Sequence, residues 1–296
     1  MMAITPSARP RPATGHDARS LSLRMRHALW RKAKAWRQRI LPRPLAQHVF
    51  VAGMQRSGTN LLMDVLDASA ATQVFHETDT RAFERYEMRD VAVIRQLARQ
   101  CQAPVFVVKA LCELDRIKSL METFTPAHTL WMVRDWRDSV SSAIKSFGNF
   151  VPQWQRLVAG DTEDWRGRGM SSATRELLAA LYRPEASEAE GAAIMWFYRN
   201  VLFFEQQLAA DPRVRVVYYE DLVQHPLREV AAVYTFLGLP GFSAAKARRI
   251  HEYSVKRCIH AHSVKRRSPP DIAPAVIALC DELLARFVAL PARKSV

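Results

Sequence analysis

Four places along the chain hold residues that could bind an anion or move a proton. At 53–60 the sequence GMQRSGTN follows an apolar run, HVFVA, and leads into LLMDVLDASA. Its glycines, Gly53 and Gly58, have the spacing of a phosphate-binding GxxxxGK[ST] loop, but Thr59 stands at the lysine position and Asn60 at the metal-binding hydroxyl position. The main-chain N–H groups of Gln55, Arg56, Ser57, Gly58, Thr59 and Asn60 can still face an anion where a helix begins, and Arg56 adds a permanent cation. The ligand such a loop predicts is a 5′-phosphate carrying a less charged group, held without a metal. The second place is MVRDWRDSVSSAIKSF (132–147), where an apolar strand delivers Arg134 and a helix carries Ser142. A guanidinium offers two parallel donors to a dianion, and a hydroxyl adds a third. The competing reading of Arg134 is a salt bridge to Asp135 or Asp138.

The third place is VFHETDTR, where His76 or Glu77 could take a proton; the fourth is Lys109, at the end of VFVVK, where an ammonium could steady a departing oxygen. Glu77 could instead cap a helix beginning near Asp79 or pair with Arg81. Lys109 could be an ordinary strand-end lysine.

These residues need a scaffold that brings strand ends together. Near-continuous apolar runs at 48–54, 72–77, 104–110, 128–135 and 214–220 read as strands. Helical patterns fill 57–70, 79–101, 113–124 and 136–147, and 171–210 reads as mostly helical with a break near Pro184. The expected fold is α/β, a mainly parallel sheet covered by helices on both faces, with ligands at the carboxyl ends of the strands. AAIMWFYRNVLFF, interrupted by Arg199 and Asn200, reads as a buried helix rather than a membrane span, and no signal peptide is expected. Cys101, Cys112, Cys258 and Cys280 show no metal spacing and suit reduced thiols in a cytoplasm.

The formal charge of +14 is unevenly placed: residues 1–47 hold eleven Lys/Arg and one acid, Asp17, whereas the rest holds 32 basic and 28 acidic residues. A nucleic-acid partner is therefore not expected, and two regions are: a basic, partly disordered arm over 1–47 and one domain over 48–296. Within the arm, Leu21, Met25, Leu29, Ala33, Trp36 and Ile40 recur at helical spacing among basic residues, up to Pro42. Such a helix could lie peripherally on an anionic membrane surface. The reading weighed against it, and slightly preferred, packs the helix on the body with its charges in solvent.

GMQRSGTNLL resembles the 5′-phosphosulfate loop of sulfotransferases, G-x-P-[RK]-S-G-T-T, with Gln55 for the proline and Asn60 for the second threonine. That family has a P-loop NTPase-like fold and takes its sulfuryl group from 3′-phosphoadenosine-5′-phosphosulfate (PAPS). VRDWRDS…S resembles its 3′-phosphate motif, V-R-[DN]-P-R-D…S, which implies that Arg134 and Ser142 bind that phosphate, with Trp136 as a spacer where proline is usual. YEDL…P…FLGL over 216–240 resembles a third family segment. It implies that Tyr219 contacts the adenine and that Glu220 and Asp221 organise the loop, although Tyr219 could equally be core and the acids a helix cap. Ser263 and Lys265, in the basic stretch HSVKRRSPPD, are further donor-binding candidates.

FHETDTR resembles the branch with a glutamate base, including tyrosylprotein sulfotransferases, which makes Glu77 the catalytic base over His76. Arg56 and Lys109 then stabilise the leaving oxygen, and no metal is implied. The acceptor is a hydroxyl on a glycan, lipid or peptide, with a saccharide or glycolipid favoured. Residues 148–213, with Trp154, Trp165, Arg166 and Arg168, are expected to shape its pocket. The alternatives are a nucleoside or small-molecule kinase, which would need ATP and magnesium, and a basic protein that binds nucleic acid or membrane.

Overall fold

The computed structural model describes residues 29–161, 164–240 and 271–291. A helix over 29–40 (α1) precedes the sheet. The sheet is built from β1 (Gln47–Gly53), β2 (Thr72–Phe75), β5 (Val105–Ala110), β6 (Ala127–Val133) and β7 (Val214–Tyr218). Its order is β2-β5-β1-β6-β7, every pairing parallel. β1 is central, with Val51 opposite Lys109 on one side and Gly53 opposite Met132 on the other.

Both faces are covered, which explains the unbroken apolar runs. Val49, Val51, Val107 and Met132 pack with α2 (Thr59–Asp67), α9 (Tyr219–Gln224) and α10 (Pro226–Phe236). Phe50, Ala52, Phe106, Val108 and Trp131 face the larger core. That core is shared with α3 (Val91–Arg99), α4 (Ile117–Thr123), α5 (Trp136–Ser146), α6 (Phe150–Ala159), α7 (Ser172–Leu181), α8 (Glu188–Glu205) and α11 (Pro274–Val288). The alternation puts odd-numbered β1 residues on one face and even-numbered ones on the other.

The apolar stretch with Arg199 and Asn200 is α8, opened by a capping box between Ser187 and Glu190 and buried over most of its length. Its polar residues are used: Arg199 donates to the carbonyls of Leu111 (2.7 Å) and Trp165 (3.2 Å), and Asn200 accepts from Trp131 Nε1 (3.4 Å). Among the described residues no helix is long and apolar enough to cross a membrane.

Three expectations are corrected. The pattern over 79–101 is not one helix, because a two-stranded hairpin, β3 (Phe83–Glu84) and β4 (Glu87–Met88), comes before α3. Its turn residues, Arg85 and Tyr86, have φ of 49° and 71°, a conformation usually announced by glycine or asparagine. Trp136 is no spacer: fully buried, it donates from Nε1 to Asp281 Oδ1 (2.8 Å), while Arg137 grips the same carboxylate through both terminal nitrogens. Together they fasten α11 to the start of α5. Trp154 is also core, fully buried with Nε1 donating to the Leu178 carbonyl (3.0 Å), and lines no acceptor pocket.

Candidate active site

The residues singled out at 53–60, 77, 109, 134, 142 and 219 converge at the carboxyl edge of the sheet, around the end of β1. The first loop turns because Gly53 (φ 138°) and Gly58 (φ 100°) adopt backbone angles that side chains disfavour. Space forbids a side chain there too. A Cβ on Gly53 would stand 2.5 Å from the Met132 carbonyl oxygen, and one on Gly58 2.3 Å from the Tyr219 ring. Arg56 is left-handed as well (φ 70°), the one such residue in the loop that carries a side chain. Ser57 turns its hydroxyl inward onto the Met54 carbonyl (2.6 Å) and donates its N–H to the same oxygen (3.2 Å), so it ties the loop. Gln55 is half-buried beside it, and Thr59, buried, is the first residue of α2.

Gly58→Ala combines backbone strain with the Tyr219 clash, so it is expected to destabilise the fold by about 1–3 kcal/mol. It should also weaken binding of 3′-phosphoadenosine 5′-phosphate (PAP). Urea unfolding and PAP titration of the variant check both effects; a variant matching the parent in both would contradict this account of the loop.

The two candidate anion-binding stretches meet directly. Arg56 Nε donates to Ser142 Oγ (2.9 Å), and Arg134 Nη1 donates to the Arg56 carbonyl (3.2 Å). Arg134 is 5% exposed, lies 4.4 Å from the centre of the Tyr219 ring, and has a buried Nε with no hydrogen-bond partner among the described residues. The competing reading is met in part: Arg134 Nη2 forms an i,i+4 ion pair with Asp138 Oδ2 at 3.9 Å, without the geometry of a hydrogen bond. The Glu220 carboxylate accepts from Asp135 N–H (3.0 Å), tying the start of α9 to the turn that carries Arg134. Burial raises its pKa, opposed by that bond.

Across the loop, Lys109 Nζ donates to Glu77 Oε1 (2.6 Å) and to Asn60 Oδ1 (2.7 Å). The Asn60 amide oxygen, where a metal-binding loop would carry its hydroxyl, thus accepts from an ammonium. Glu77 neither caps a helix nor pairs with Arg81, which grips Asp79 instead. Its second oxygen, Oε2, is buried with no partner among the described residues. Lys109 is 1% exposed, and burial lowers its pKa although Glu77 pulls the other way. His76 is half-buried, its pKa also lowered by burial, and it makes no contact with Lys109 comparable to that of Glu77.

Beyond the end of β5, polar contacts join α8, the hairpin and the segment before α7. Arg199 reaches the Leu111 carbonyl, and the guanidinium groups of Arg166 and Arg199 lie 4.7 and 5.0 Å from the Trp165 ring. Arg168 pairs with Glu87, and the Glu113 carboxylate accepts from Met88 N–H (2.7 Å). Ser263 and Lys265 lie outside the described residues. Sequence reasoning missed the Arg56–Ser142 and Lys109–Asn60 contacts, whose partners are 86 and 49 residues apart. Only the shared strand-end placement of these residues hinted at them.

A family model described as "Sulfotransferase family" matches residues 80–244, more than half of the chain. The chain belongs to the sulfotransferase family. The matched span carries Lys109, Arg134, Ser142 and Tyr219, and this sulfotransferase supplies the first loop and Glu77 from the residues before it. No curated protein matches it. Among solved structures, it is similar to sulfotransferase STF9 from Mycobacterium avium, at 15% identity and a TM-score of 0.48, over 83% of this chain and 77% of that one. Similar too are a sulfotransferase from Alicyclobacillus acidocaldarius (16%, 0.47, covering 85% and 96%) and mouse sulfotransferase SULT7A1 complexed with PAP (13%, 0.43, covering 77% and 71%).

Proposed function

We propose that this sulfotransferase carries a sulfuryl group from PAPS to an acceptor hydroxyl, with Glu77 as the base. The observation that carries the reading is Lys109 bridging Asn60 and Glu77, which puts a carboxylate and an ammonium at one end of a main-chain anion cradle. PAPS, when bound, supplies the sulfuryl group and a bisphosphate leaving group. The residues fit it: the N–H groups of Gln55, Arg56, Gly58, Thr59 and Asn60 and the Arg56 cation suit the 5′-end. Arg134, whose Nε has no partner among the described residues, and Ser142 suit the 3′-phosphate. Tyr219, held against Gly58 and under Arg134, offers a flat surface for the adenine.

In this reading the Glu77 carboxylate accepts the acceptor's proton, while Lys109 and Arg56 stabilise the oxygen that departs. Lys109 already touches Glu77, so base and cation lie within reach of one reacting centre, as in-line transfer requires. A saccharide or glycolipid is the acceptor class we favour. The polar cluster of Glu87, Arg168 and Trp165 with its guanidinium neighbours, on the segments that follow β5 and precede α7, is the feature that supports a hydroxyl-rich molecule.

Incubation with labelled PAPS and a panel of glycans, glycolipids, peptides and phenols tests the reading. Label should pass to a hydroxyl acceptor without added metal; transfer from ATP with magnesium instead would overturn it. The Lys109 ammonium is the active form, so activity is lost as pH rises through its pKa. Because burial lowers that pKa, the alkaline limb of kcat/KM for PAPS is expected below pH 10.5. Lys109→Arg keeps its charge at any accessible pH, so its limb should move upward even where turnover is poorer. A limb unmoved by that substitution would belong to another group.

A further inference from the structure

The helix α1 is docked by its polar side. Lys34, 5% exposed, donates to the Asp67 carboxylate (2.8 Å), the Asp67 carbonyl (2.8 Å) and Thr72 Oγ1 (3.2 Å). Gln38, 8% exposed, donates to the carbonyls of Ala70 (3.0 Å) and Thr72 (2.8 Å), and Arg31 Nε pairs with Asp67 Oδ2 (3.0 Å). The preferred expectation for this helix is thereby corrected. It does pack on the body, but through buried polar groups, and its apolar stripe is what remains outside. Leu29, Trp36 and Ile40 are 63%, 66% and 50% exposed, Ala33 is exposed between them, and Leu41 just beyond is 63% exposed.

At 100° per residue, Lys34 and Gln38 point one way and the stripe of Leu29, Ala33, Trp36 and Ile40 points roughly the other. Lys32 and Arg39 border the stripe on one side and Arg37 on the other, all exposed. In water, a helix free to choose its face would bury that stripe. Here the specific bonds of Lys34 and Gln38 hold the opposite orientation.

We infer that α1 is a membrane-surface anchor, whose outward stripe enters the interface of an anionic phospholipid bilayer while its basic borders meet the headgroups. Charge selects this occupant. A second copy of the chain would bring the same cations face to face, whereas an anionic lipid surface complements both the apolar stripe and its borders.

The anchor also fixes the enzyme's orientation. Asp67 ends α2 and Thr72 begins β2, so α1 lies at the amino edge of the parallel sheet. The site we propose lies at the carboxyl edge. On that reading the crevice faces away from the bound bilayer, which favours a soluble saccharide over a glycolipid of the same membrane.

Flotation of the full chain with phosphatidylcholine vesicles, with and without phosphatidylserine, tests the anchor. The protein should float only with the anionic vesicles, and less so as salt is raised. Trp36→Asp/Ile40→Asp should lower partitioning at least about tenfold with the melting temperature unchanged, because these side chains are exposed. Lys32→Glu/Arg39→Glu leaves the stripe intact and should weaken binding through charge alone. Failure to float with anionic vesicles would overturn the anchor, as would undiminished binding by the Trp36→Asp/Ile40→Asp variant. Loss of a dimer in that variant would assign the stripe to a second copy instead. None of these results depends on sulfuryl transfer, so the anchor and the proposed reaction stand or fall separately.

Discussion

Glu77→Gln should lower kcat by roughly 100- to 10,000-fold while PAP still binds, because the amide keeps the shape but cannot take a proton. A second effect must be separated from this one. Lys109 is almost wholly buried, and removing the charge of its partner leaves it with the Asn60 amide. Breaking a buried ion pair costs about 3–5 kcal/mol when the remaining charge has no relief. Lys109 has some: burial already lowers its pKa, so it can shed its proton once Glu77 no longer opposes that shift. The stability loss is therefore expected below that range, with a folded variant at assay temperature. Thermal unfolding beside steady-state kinetics distinguishes the two effects. A folded variant with parental kcat would remove Glu77 from the chemistry.

Arg134→Ala should weaken PAP binding by roughly 30-fold or more, since truncating one partner of a desolvated charge pair costs about 2–5 kcal/mol. The loss should be selective. Adenosine 5′-phosphosulfate lacks the 3′-phosphate, so its affinity should change little, apart from the contact that Arg134 makes with the Tyr219 ring. Ser142→Ala should show the same selectivity with a smaller loss. It also frees Arg56 Nε, so some weakening at the 5′-end is expected alongside. Equal weakening of both ligands by Arg134→Ala would mean that the guanidinium supports the loop through the Arg56 carbonyl and does not read the 3′-phosphate.

The strands were legible because a sheet covered on both faces demands unbroken apolar runs, and β1, β5 and β6 are buried along nearly their whole length. Candidate site residues could be picked out where chemistry is local, as in the GMQRSGTN loop and the step from Arg134 to Ser142. What joins them was not. Nothing near Arg56 names Ser142 as its partner, and nothing near Trp136 names Asp281. The hairpin at Phe83–Met88 was hidden because Arg85 and Tyr86 turn without glycine. For α1 the periodicity marked an apolar stripe correctly, yet periodicity says nothing about which face docks. That was decided by Asp67 and Thr72, each more than thirty residues away from Lys34.

The central claim is that one cradle holds a bisphosphorylated adenosine by both ends, and calorimetric titration of PAP into the ligand-free protein tests it most directly. The account predicts saturable one-to-one binding without added metal, much tighter for PAP than for either adenosine 5′-phosphate or adenosine 3′-phosphate. No heat from PAP, or equal affinity for all three nucleotides, would contradict it.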